Sequence, residues 1–325
     1  GRGRMGYKYR SVRPHAIDTF RQVREEEMTY PQPWFVPGKG LFHFFTKYTG
    51  MRELYYENSN RGFEWSEDQK LAAVKRPEDK QAGHYQVSDV HHNKLGTFFN
   101  WHPNGNVDKR TNLYYLETTD FGETWHSADG RKTAVPVEDV DHHSRVAGFF
   151  SDGKNVYLKD MDFDESGNPV CLFLVSNGHE PGPANDPRVW KTARWTGRKW
   201  EIRDVCTSGH NYDMGSLYIG KNNWQVIAPT EPGPQPWGVG GETVIWQSRN
   251  KGKKWKKAKQ VTQNSELNNS YLRRPENAHP GFYGFWANGN PDEFSKSELF
   301  FLNKDGKVFQ LPYTMETEFC IPVKN

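Results

Sequence analysis

The chain has 325 residues, of which 34% are hydrophobic, 14% aromatic and 26% charged, and its 30 glycines and 20 prolines favour strands and tight turns over helices. A formal net charge of +3 with scattered basic residues argues against a nucleic-acid surface, and no run approaches the roughly 18 apolar residues needed to span a bilayer. Three cysteines are too few for a disulfide framework and show no zinc-ligand spacing, so at most one disulfide is expected.

The first predicted element is a short helix over residues 16–28, which carries three consecutive glutamates near its end. Beyond it, short apolar or alternating runs are separated by turn residues, which is typical of strands. The predicted strands include residues 41–46, 113–116, 170–175, 224–228, 243–246 and 299–302. The chain is therefore expected to be all-β after its first thirty or so residues.

A short segment recurs along the chain, in which a turn containing glycine is followed by a tryptophan. Its four copies are residues 59–65, 119–125, 196–200 and 248–255. A long repeat with one tryptophan per unit is typical of the blades of a β-propeller. The sequence therefore predicts an all-β propeller of four-stranded antiparallel blades, as a single domain over residues 1–325.

Five repeat units are recognisable along the chain. They start near Tyr30, His84, Lys159, His210 and Pro275, and a fragment before Tyr30 resembles the outer half of another unit. The domain is therefore expected to start within a blade, and the N-terminus is expected to be processed or trimmed. The number of blades stays open between five, six and seven.

A polar, aromatic-rich segment precedes each repeat tryptophan at a similar distance along the chain. These segments are residues 30–33, 83–86, 159–162 and 210–213, and the fifth unit adds residues 273–279. Equal phase in a propeller means equal position in the blade, so these residues are expected to share one end of the central channel. Because a ring of His, Tyr, Arg and Lys is costly to bury without partners, water or a ligand is expected there.

The residue types in this ring suit removal of a weakly acidic proton beside a carboxylate. A cation or protonated histidine would hold the carboxylate, and a tyrosine or histidine would take the α-proton and return a proton to the leaving oxygen. Those are the requirements for β-elimination from a uronic acid. A lone His or Tyr on an inner strand is more often a hydrogen-bonded wall residue, so the hypothesis depends on the set as a whole.

Aromatic residues on loops rich in proline and glycine are the predicted sugar-binding platforms. Trp237 within residues 230–238 and Trp101 within residues 100–105 are the clearest cases, with packing against prolines as the alternative for Trp237. Residues 162–168 resemble a calcium loop but lack its distal glutamate, so a β-turn is predicted there. No metal site is assigned, and Ca²⁺ is the one cofactor left open.

The repeat turns, together with residues 83–86, 210–216 and 228–234, resemble the BNR-repeat propeller family. That family includes ulvan lyases, L-rhamnose-α-1,4-D-glucuronate lyases and related rhamnosidases, and the resemblance runs from about residue 5 to the end of the chain. It implies a seven-bladed ring in which early blades are shortened or missing here.

The resemblance also implies a set of catalytic residues. His84 matches the histidine that neutralises the carboxylate, His102 matches the second histidine, and Tyr212 matches one catalytic tyrosine, with His210 as the competing proton acceptor. The cation of the intervening blade would be Arg145 or Lys159, and no tyrosine stands clearly at the expected third-blade position. The residues predicted to bind substrate are Tyr85, Gln86, Trp101, Arg145, Lys159, Glu231, Trp237, Arg273 and Arg274.

The leading hypothesis is a polysaccharide lyase that cleaves the bond to O4 of a glucuronic acid, with rhamnose on the other side, by β-elimination. Its partner would be a polysaccharide or oligosaccharide containing uronic acid, and such a substrate implies a secreted or periplasmic protein. One alternative is a hydrolase with two of the carboxylates of Asp160, Asp162, Asp213, Glu231 and Glu276 across the bond. The other is a glycan-binding propeller without catalysis. A sialidase is disfavoured because the chain has no Arg-Ile-Pro segment.

Overall fold

The computed structural model describes residues 5–317 and 319–324, and their regular structure is almost entirely antiparallel strands. The all-β prediction is confirmed. Short 3₁₀ turns occur at Pro103–Gly105, Val107–Lys109 and Pro183–Asn185, and no helix among the described residues is long and apolar enough to cross a membrane.

The chain separates into two compact units. Of the described residues, one unit comprises 5–152, 167–169 and 197–199, and the other comprises 153–166, 170–196, 200–317 and 319–324. We call them unit 1 and unit 2. The single domain over residues 1–325, the closure of the sheets into a ring and the number of blades stay predictions.

Unit 1 holds a hairpin and two sheets. The hairpin pairs β1 (Met5–Ser11) with β2 (Phe20–Glu27). Sheet 1 runs in chain order through β3 (Thr29–Val36), β4 (Gly40–Lys47), β5 (Glu53–Ser59) and β6 (Gln69–Ala72). Sheet 2 contains β7 (Gln86–His91), β8 (Lys94–Trp101), β9 (Thr111–Thr118), β10 (Trp125–His126) and β11 (Lys132–Thr133), and β12 (Arg145–Ala147) pairs with β9.

Unit 2 holds three sheets, each of strands in chain order. Sheet 3 contains β13 (Asn155–Phe163), β14 (Pro169–Ser176), β15 (Arg188–Trp195) and β16 (Trp200–Ser208). Sheet 4 contains β17 (Ser216–Ile219), β18 (Trp224–Glu231), β19 (Glu242–Ser248) and β20 (Lys256–Gln260). Sheet 5 contains β21 (Asn268–Arg273), β22 (Gly284–Gly289), β23 (Leu299–Leu302), β24 (Val308–Gln310) and β25 (Val323–Lys324).

Two of the predicted unit starts do not coincide with the beginning of a sheet. The start near Pro275 was wrong, because sheet 5 begins at Asn268 with a strand that ends at Arg273. Lys159 lies in the middle of β13, which begins at Asn155. The other three predicted starts fall within six residues before the first strand of a sheet or just inside it.

The predicted helix over residues 16–28 was wrong, since most of this segment forms β2. The acidic run that suggested a helix alternates between the two faces of the strand, and Glu26 is buried against sheet 1. There the ammonium of Lys8 bridges Glu26 and Glu57, while Nδ1 of His43 lies 2.8 Å from Oε1 of Glu57. Ion pairing and ladder formation with β1 outweigh the helical propensity of the glutamates.

Large aromatic side chains dominate the cores of both units. In unit 1 the Trp125 ring lies 5.0 Å from Tyr56 and 6.0 Å from Phe44, and is almost fully buried. In unit 2 the buried Trp190 and Trp224 pack with aliphatic residues of β14 and β18. The thiols of Cys171, Cys206 and Cys320 are free.

The repeat turn has the same hydrogen bonds in sheets 2 and 4, although its residues differ. In sheet 2, Oδ1 of Asp120 accepts the backbone N–H of Thr124 at 2.9 Å, and Oγ1 of Thr118 accepts the N–H of Gly122 at 3.0 Å. In sheet 4, Asn250 and Ser248 accept the equivalent N–H groups at 2.9 and 3.0 Å. Gly122 is required because its φ is +94° and a Cβ would lie 2.8 Å from the Tyr56 ring.

A fall in pH is expected to destabilise the repeat turn of sheet 2 and to leave the equivalent turn of sheet 4 unchanged. Burial tends to raise the pKa of Asp120, but hydrogen bonds from Thr124 and Thr118 outweigh it and hold that pKa below its usual value. A carboxyl with a depressed folded-state pKa stabilises the fold above its unfolded pKa, and this contribution is lost as the pH falls through the folded value.

The measurement is the free energy of unfolding by urea at neutral pH and at about pH 3. Asp120→Asn should reduce the loss of stability in acid, and the reciprocal Asn250→Asp should increase it. Equal acid sensitivity of the wild type and both variants would show that this carboxyl does not support the turn.

Candidate active site

His84 precedes β7 in unit 1 and is fully buried. Its Nδ1 lies 2.7 Å from the carbonyl oxygen of Asn100, and its Nε2 accepts the backbone N–H of Val74 at 3.0 Å. The proton of the neutral ring is therefore on Nδ1. Burial lowers the pKa of His84 to about 4, so the ring stays neutral near pH 7. Because both nitrogens hold backbone groups, the expected contact with a substrate carboxylate does not fit this environment.

Replacing His84 is expected to act on stability first. His84→Ala would leave the Val74 N–H and the Asn100 carbonyl without partners and open a cavity, at a cost of about 2–4 kcal/mol in the free energy of unfolding. The exposed His179 offers a control, since His179→Ala should change stability by less than about 0.5 kcal/mol. A His84→Ala protein as stable as the wild type but inactive would restore the catalytic role.

His102 lies directly after β8 and is also fully buried. Its Nδ1 accepts from Nη2 of Arg52 at 3.1 Å, and its Nε2 lies 3.0 Å from Oδ1 of Asn100, which also accepts the Tyr85 backbone N–H. Burial, together with the charges of Arg110 and Arg52, holds the pKa of His102 well below its usual value. His102 is thus a neutral link that orients Arg52 beneath Tyr85.

Two tyrosines lie above these cations in unit 1. The guanidinium carbons of Arg52 and Arg110 lie 5.6 and 5.1 Å from the centre of the half-buried Tyr85 ring. Tyr30 meets that ring edge-on at 5.2 Å and is 48% exposed, and burial together with the Tyr85 hydroxyl raises the pKa of Tyr30. The sequence did not reveal Arg52 or Arg110, because neither occupies a repeat position.

The other predicted substrate-binding residues of unit 1 differ in burial and in their polar partners. Gln86 is buried, and its amide donates to the Phe45 carbonyl at 3.2 Å. The expectation of an exposed Trp101 ring was wrong, because this residue ends β8 with its side chain fully buried. Arg145 lies on β12 and pairs with Asp141. Trp101 and Arg145 line the same cleft, of about 390 Å³.

Lys159 is the central cation of the group in unit 2 and is almost fully buried. Its Nζ donates to the carbonyl oxygen of Asn211 at 2.6 Å, approaches Sδ of Met214 at 3.8 Å and lies 5.1 Å from the Trp190 ring. The ammonium is thus shielded from a substrate carboxylate. Its contacts with Asn211 and Met214 instead hold the segment 210–214 in place, and that segment carries two of the predicted catalytic residues.

That segment presents Tyr212 on a fixed backbone. Asp213 accepts the N–H groups of His210 at 2.9 Å and of Gly240 at 2.7 Å, and burial raises the pKa of Asp213 to about 6. Nδ1 of His210 accepts the Tyr212 N–H at 3.0 Å, which leaves the ring proton on Nε2. The Tyr212 ring is 44% exposed, 5.8 Å from His210 and 5.5 Å from Tyr157.

The electrostatic surroundings of this segment are positive. Burial, followed by the charges of Arg188 and Lys159, lowers the pKa of His210 to about 4, so its imidazole is neutral near pH 7. With Nδ1 occupied, the Nε2–H of His210 is a hydrogen-bond donor. A neutral donor therefore stands beside the exposed phenol of Tyr212.

Arg273 and Arg274 end and follow β21. Nη1 of Arg273 lies 3.3 Å from the Lys159 carbonyl oxygen, its side chain is half-buried, and the neighbouring Leu272 N–H donates to the Met214 carbonyl at 3.1 Å. Arg274 is paired with Asp162 at 3.1 Å. Unit 2 therefore places Lys159 against the segment that carries His210 and Tyr212, and it places Arg273 against the backbone of Lys159.

The remaining predicted residues of unit 2 lie on strand ends and loops. Trp237 is 47% exposed with a φ of +64°, so its ring is exposed as expected, while sugar binding by it stays a prediction. Glu231 pairs with Lys257 at 2.9 Å. Asp160 and Asp162 accept the N–H groups of Leu217 and Ile219, so both carboxylates hold the backbone of β17.

The described part of the chain contains no preformed metal-binding site. Within residues 5–317 and 319–324, no group of three or more His, Cys, Asp or Glu side chains is arranged to hold an ion. The segment 162–168 forms a strand end and a turn, in which Oδ1 of Asp164 accepts the Ser166 N–H at 3.0 Å.

Comparison with known proteins gives one family match. The model of the BNR repeat-containing family matches residues 4–208. No curated protein sequence matches the chain.

Solved structures give three informative likenesses. An ulvan lyase of polysaccharide lyase family PL25, bound to -[GlcA(1-4)Rha3S]-, superposes with a TM-score of 0.74 at 16% identity, over 90% of this chain and 69% of that one. Polysaccharide lyase Uly1 gives a TM-score of 0.59 at 14% identity, over 85% and 58%. A Trypanosoma rangeli sialidase in complex with sialic acid gives 0.50 at 12% identity, over 94% and 52%. At these identities the likeness is one of fold.

Proposed function

This chain belongs to the BNR repeat-containing family, and we propose that it is a polysaccharide lyase. It cleaves the glycosidic bond to O4 of a glucuronic acid residue, in a rhamnose–glucuronate type linkage, by β-elimination. The likeness of its fold to an ulvan lyase bound to a glucuronate–rhamnose oligosaccharide supports this choice of substrate. Such polymers lie outside the cytoplasm, so a secreted or periplasmic protein is part of the proposal.

The single observation that carries the proposal is the group around Lys159 in unit 2. Tyr212 provides an exposed phenol and His210 a neutral imidazole donor, and the buried ammonium of Lys159 holds the backbone between these two residues. The half-buried Arg273 donates to the Lys159 carbonyl oxygen. Elimination from a uronate needs a cation for the carboxylate and a proton acceptor for C5. In this proposal Arg273 is the cation and Tyr212 is the proton acceptor.

In the proposed mechanism, Arg273 pairs with the uronate carboxylate and the Nε2–H of His210 donates to the same group. This reduces the cost of the negative charge that develops next to C5. The phenolic oxygen of Tyr212 takes the C5 proton while its own hydroxyl proton passes to O4, the C4–O4 bond breaks, and a C4–C5 double bond forms. Tyr212 ends as a phenol, so that protons and electrons balance without a further reactant.

The test is incubation of the purified protein with a polymer that contains rhamnose–glucuronate linkages. Elimination produces an unsaturated uronate, which is followed by its ultraviolet absorbance. The same polymer with its carboxyl groups reduced to alcohols is the matched control, and it should not be cleaved. Reducing ends without the new absorbance would overturn elimination in favour of hydrolysis.

A non-catalytic glycan-binding protein is the second candidate, and the burial of two predicted residues favours it. His84 and Lys159 are both shielded, with their polar atoms engaged by backbone groups. Saturable binding of the polymer with no product of either kind would establish this function and exclude the lyase.

A further inference from the structure

Residues 249–259, at the repeat turn and last strand of sheet 4, carry a dense group of positive charges that the proposed elimination does not use. Seven of these residues are Lys or Arg, and no Asp or Glu occurs between residues 243 and 265. All seven side chains are exposed. The whole chain, by contrast, has a net charge of only +3. Short segments this rich in lysine are typical of surfaces that bind anionic polymers.

Two of the seven cations have partners in unit 2. Nζ of Lys257 lies 2.9 Å from Oε1 of Glu231, and Nζ of Lys259 donates to the Asp305 carbonyl oxygen at 2.7 Å. Seven cations thus stand against two nearby carboxylates, and the excess attracts anions. Five cations form no ion pair with any residue of 5–317 and 319–324, and we call them the basic strip: Arg249, Lys251, Lys253, Lys254 and Lys256.

The backbone that carries the basic strip is fixed. The side chains of Ser248 and Asn250 accept the N–H groups of Gly252 at 3.0 Å and of Lys254 at 2.9 Å. A Cβ on Gly252 would lie 3.0 Å from the Trp224 ring, so the turn rests directly on the core of unit 2. The cations therefore extend from a rigid turn, and a ligand has only their side chains to order.

The turn does not need these charges in order to form. The equivalent turn of sheet 2 has the same hydrogen bonds, although residues 118–125 include Asp120 and Glu123 and no Lys or Arg. Lysines on an edge strand can prevent pairing with another sheet. Four of the five cations, however, precede β20, which begins at Lys256. Because neighbouring like charges repel one another, the basic strip carries a cost that a bound polyanion would remove.

We propose that the basic strip binds a sulfated polysaccharide through several sulfate esters of one chain. Lysine ammonium groups are compact charges on flexible stems, which suits closely spaced anions that need no bidentate geometry. The one aromatic ring of the segment, Trp255, packs against the core, so the strip has no platform on which nucleic-acid bases could stack. The choice of a polysaccharide rests on the proposed function, whereas the strip itself rests on the charges of unit 2.

The experiment measures binding of fluorescein-labelled dextran sulfate by fluorescence anisotropy, with neutral dextran of the same length as control. Dextran sulfate should bind, and log Kd should rise linearly with the logarithm of the NaCl concentration because a bound polyanion releases counterions. The strip variant combines Lys251→Gln, Lys253→Gln, Lys254→Gln and Lys256→Gln. It should bind at least tenfold more weakly and with a smaller salt dependence.

A matched variant of unit 1 removes the same net charge from four exposed lysines and should change Kd by less than about threefold. It combines Lys75→Gln, Lys80→Gln, Lys109→Gln and Lys132→Gln. Equal weakening in the two variants would overturn the proposal, because net charge alone would then attract the polymer. Equal binding of neutral dextran, or tighter binding of duplex DNA than of dextran sulfate at the same salt concentration, would also overturn it.

Dextran sulfate contains no uronic acid, so this test is separate from that of the lyase. Tyr212→Phe should bind dextran sulfate as tightly as the wild type does, and the strip variant should keep the wild-type kcat on an unsulfated rhamnose–glucuronate polymer. Selective binding by a protein that never forms an unsaturated product keeps the basic strip and rejects the elimination. Elimination without selective binding does the reverse.

Discussion

Tyr212→Phe is expected to lower kcat for elimination by about 100-fold to 10,000-fold, the range for loss of a general acid–base group. The substitution removes only the hydroxyl, so the ring contacts with Tyr157 and His210 are kept. Since the Tyr212 phenol accepts the C5 proton in the proposed mechanism, nothing else in the group around Lys159 replaces it. The measurement is the steady-state rate of unsaturated-uronate formation, with circular dichroism to confirm the fold.

The matched control is Tyr271→Phe. Tyr271 is an exposed tyrosine of the same unit, and the Arg273 guanidinium lies 4.5 Å from its ring. It has no role in proton transfer, so the rate should change less than about twofold, well under the loss expected for a catalytic group. If Tyr212→Phe keeps more than half of the wild-type kcat, the proton acceptor is another residue and the group around Lys159 loses its assignment.

Trp125→Ala is expected to cost about 3–5 kcal/mol in the free energy of unfolding. This repeat tryptophan is almost fully buried and contacts Phe42, Phe44 and Tyr56, so its removal leaves a large cavity at a point where strands of sheets 1 and 2 meet. The loss is a large share of the stability of a typical domain. Chemical denaturation followed by far-ultraviolet circular dichroism measures it.

Trp237→Ala provides the comparison, because this tryptophan is exposed and should cost less than about 1 kcal/mol. Similar losses for the two variants would mean that burial of the repeat tryptophan does not stabilise unit 1. A Trp237→Ala protein with normal stability and weaker binding of the polymer would also support the predicted platform at Trp237.

The repeat turns and the runs between them were sufficient to predict an all-β chain of successive antiparallel sheets. Four strands per sheet were correct for sheets 1, 3 and 4 only, because sheet 2 has six strands and sheet 5 has five. The turns and runs succeeded because a turn glycine such as Gly122 and an alternating strand such as β14 are decided by local chemistry. The prediction of a helix over residues 16–28 was wrong for the opposite reason. Its strand depends on ion pairs of Glu26 and Arg24 with residues elsewhere in unit 1, which no local pattern records.

The predicted site residues differ in how far the sequence anticipated their surroundings. Lys159, predicted to share a blade position with the segment 210–213, does contact that segment, although it lies in the middle of β13. Tyr85 contacts His102, which only the family resemblance had indicated. Burial depends on how loops and neighbouring strands pack, so the sequence did not reveal that Lys159 and His84 are shielded. It also missed Arg52 and Arg110, because neither occupies a repeat position, and their charges lie beneath the Tyr85 ring.

The paired turns at Asp120 and Asn250 have a consequence for how this protein behaves at low pH. Both turns have the same shape, but only one depends on an ionised oxygen. Acidification therefore loosens the molecule unevenly, and amide hydrogens beside Thr124 should begin to exchange with solvent while those beside Lys254 stay protected. The choice of aspartate or asparagine at one turn position thus decides which turn opens first in acid, while both turns keep the same hydrogen bonds.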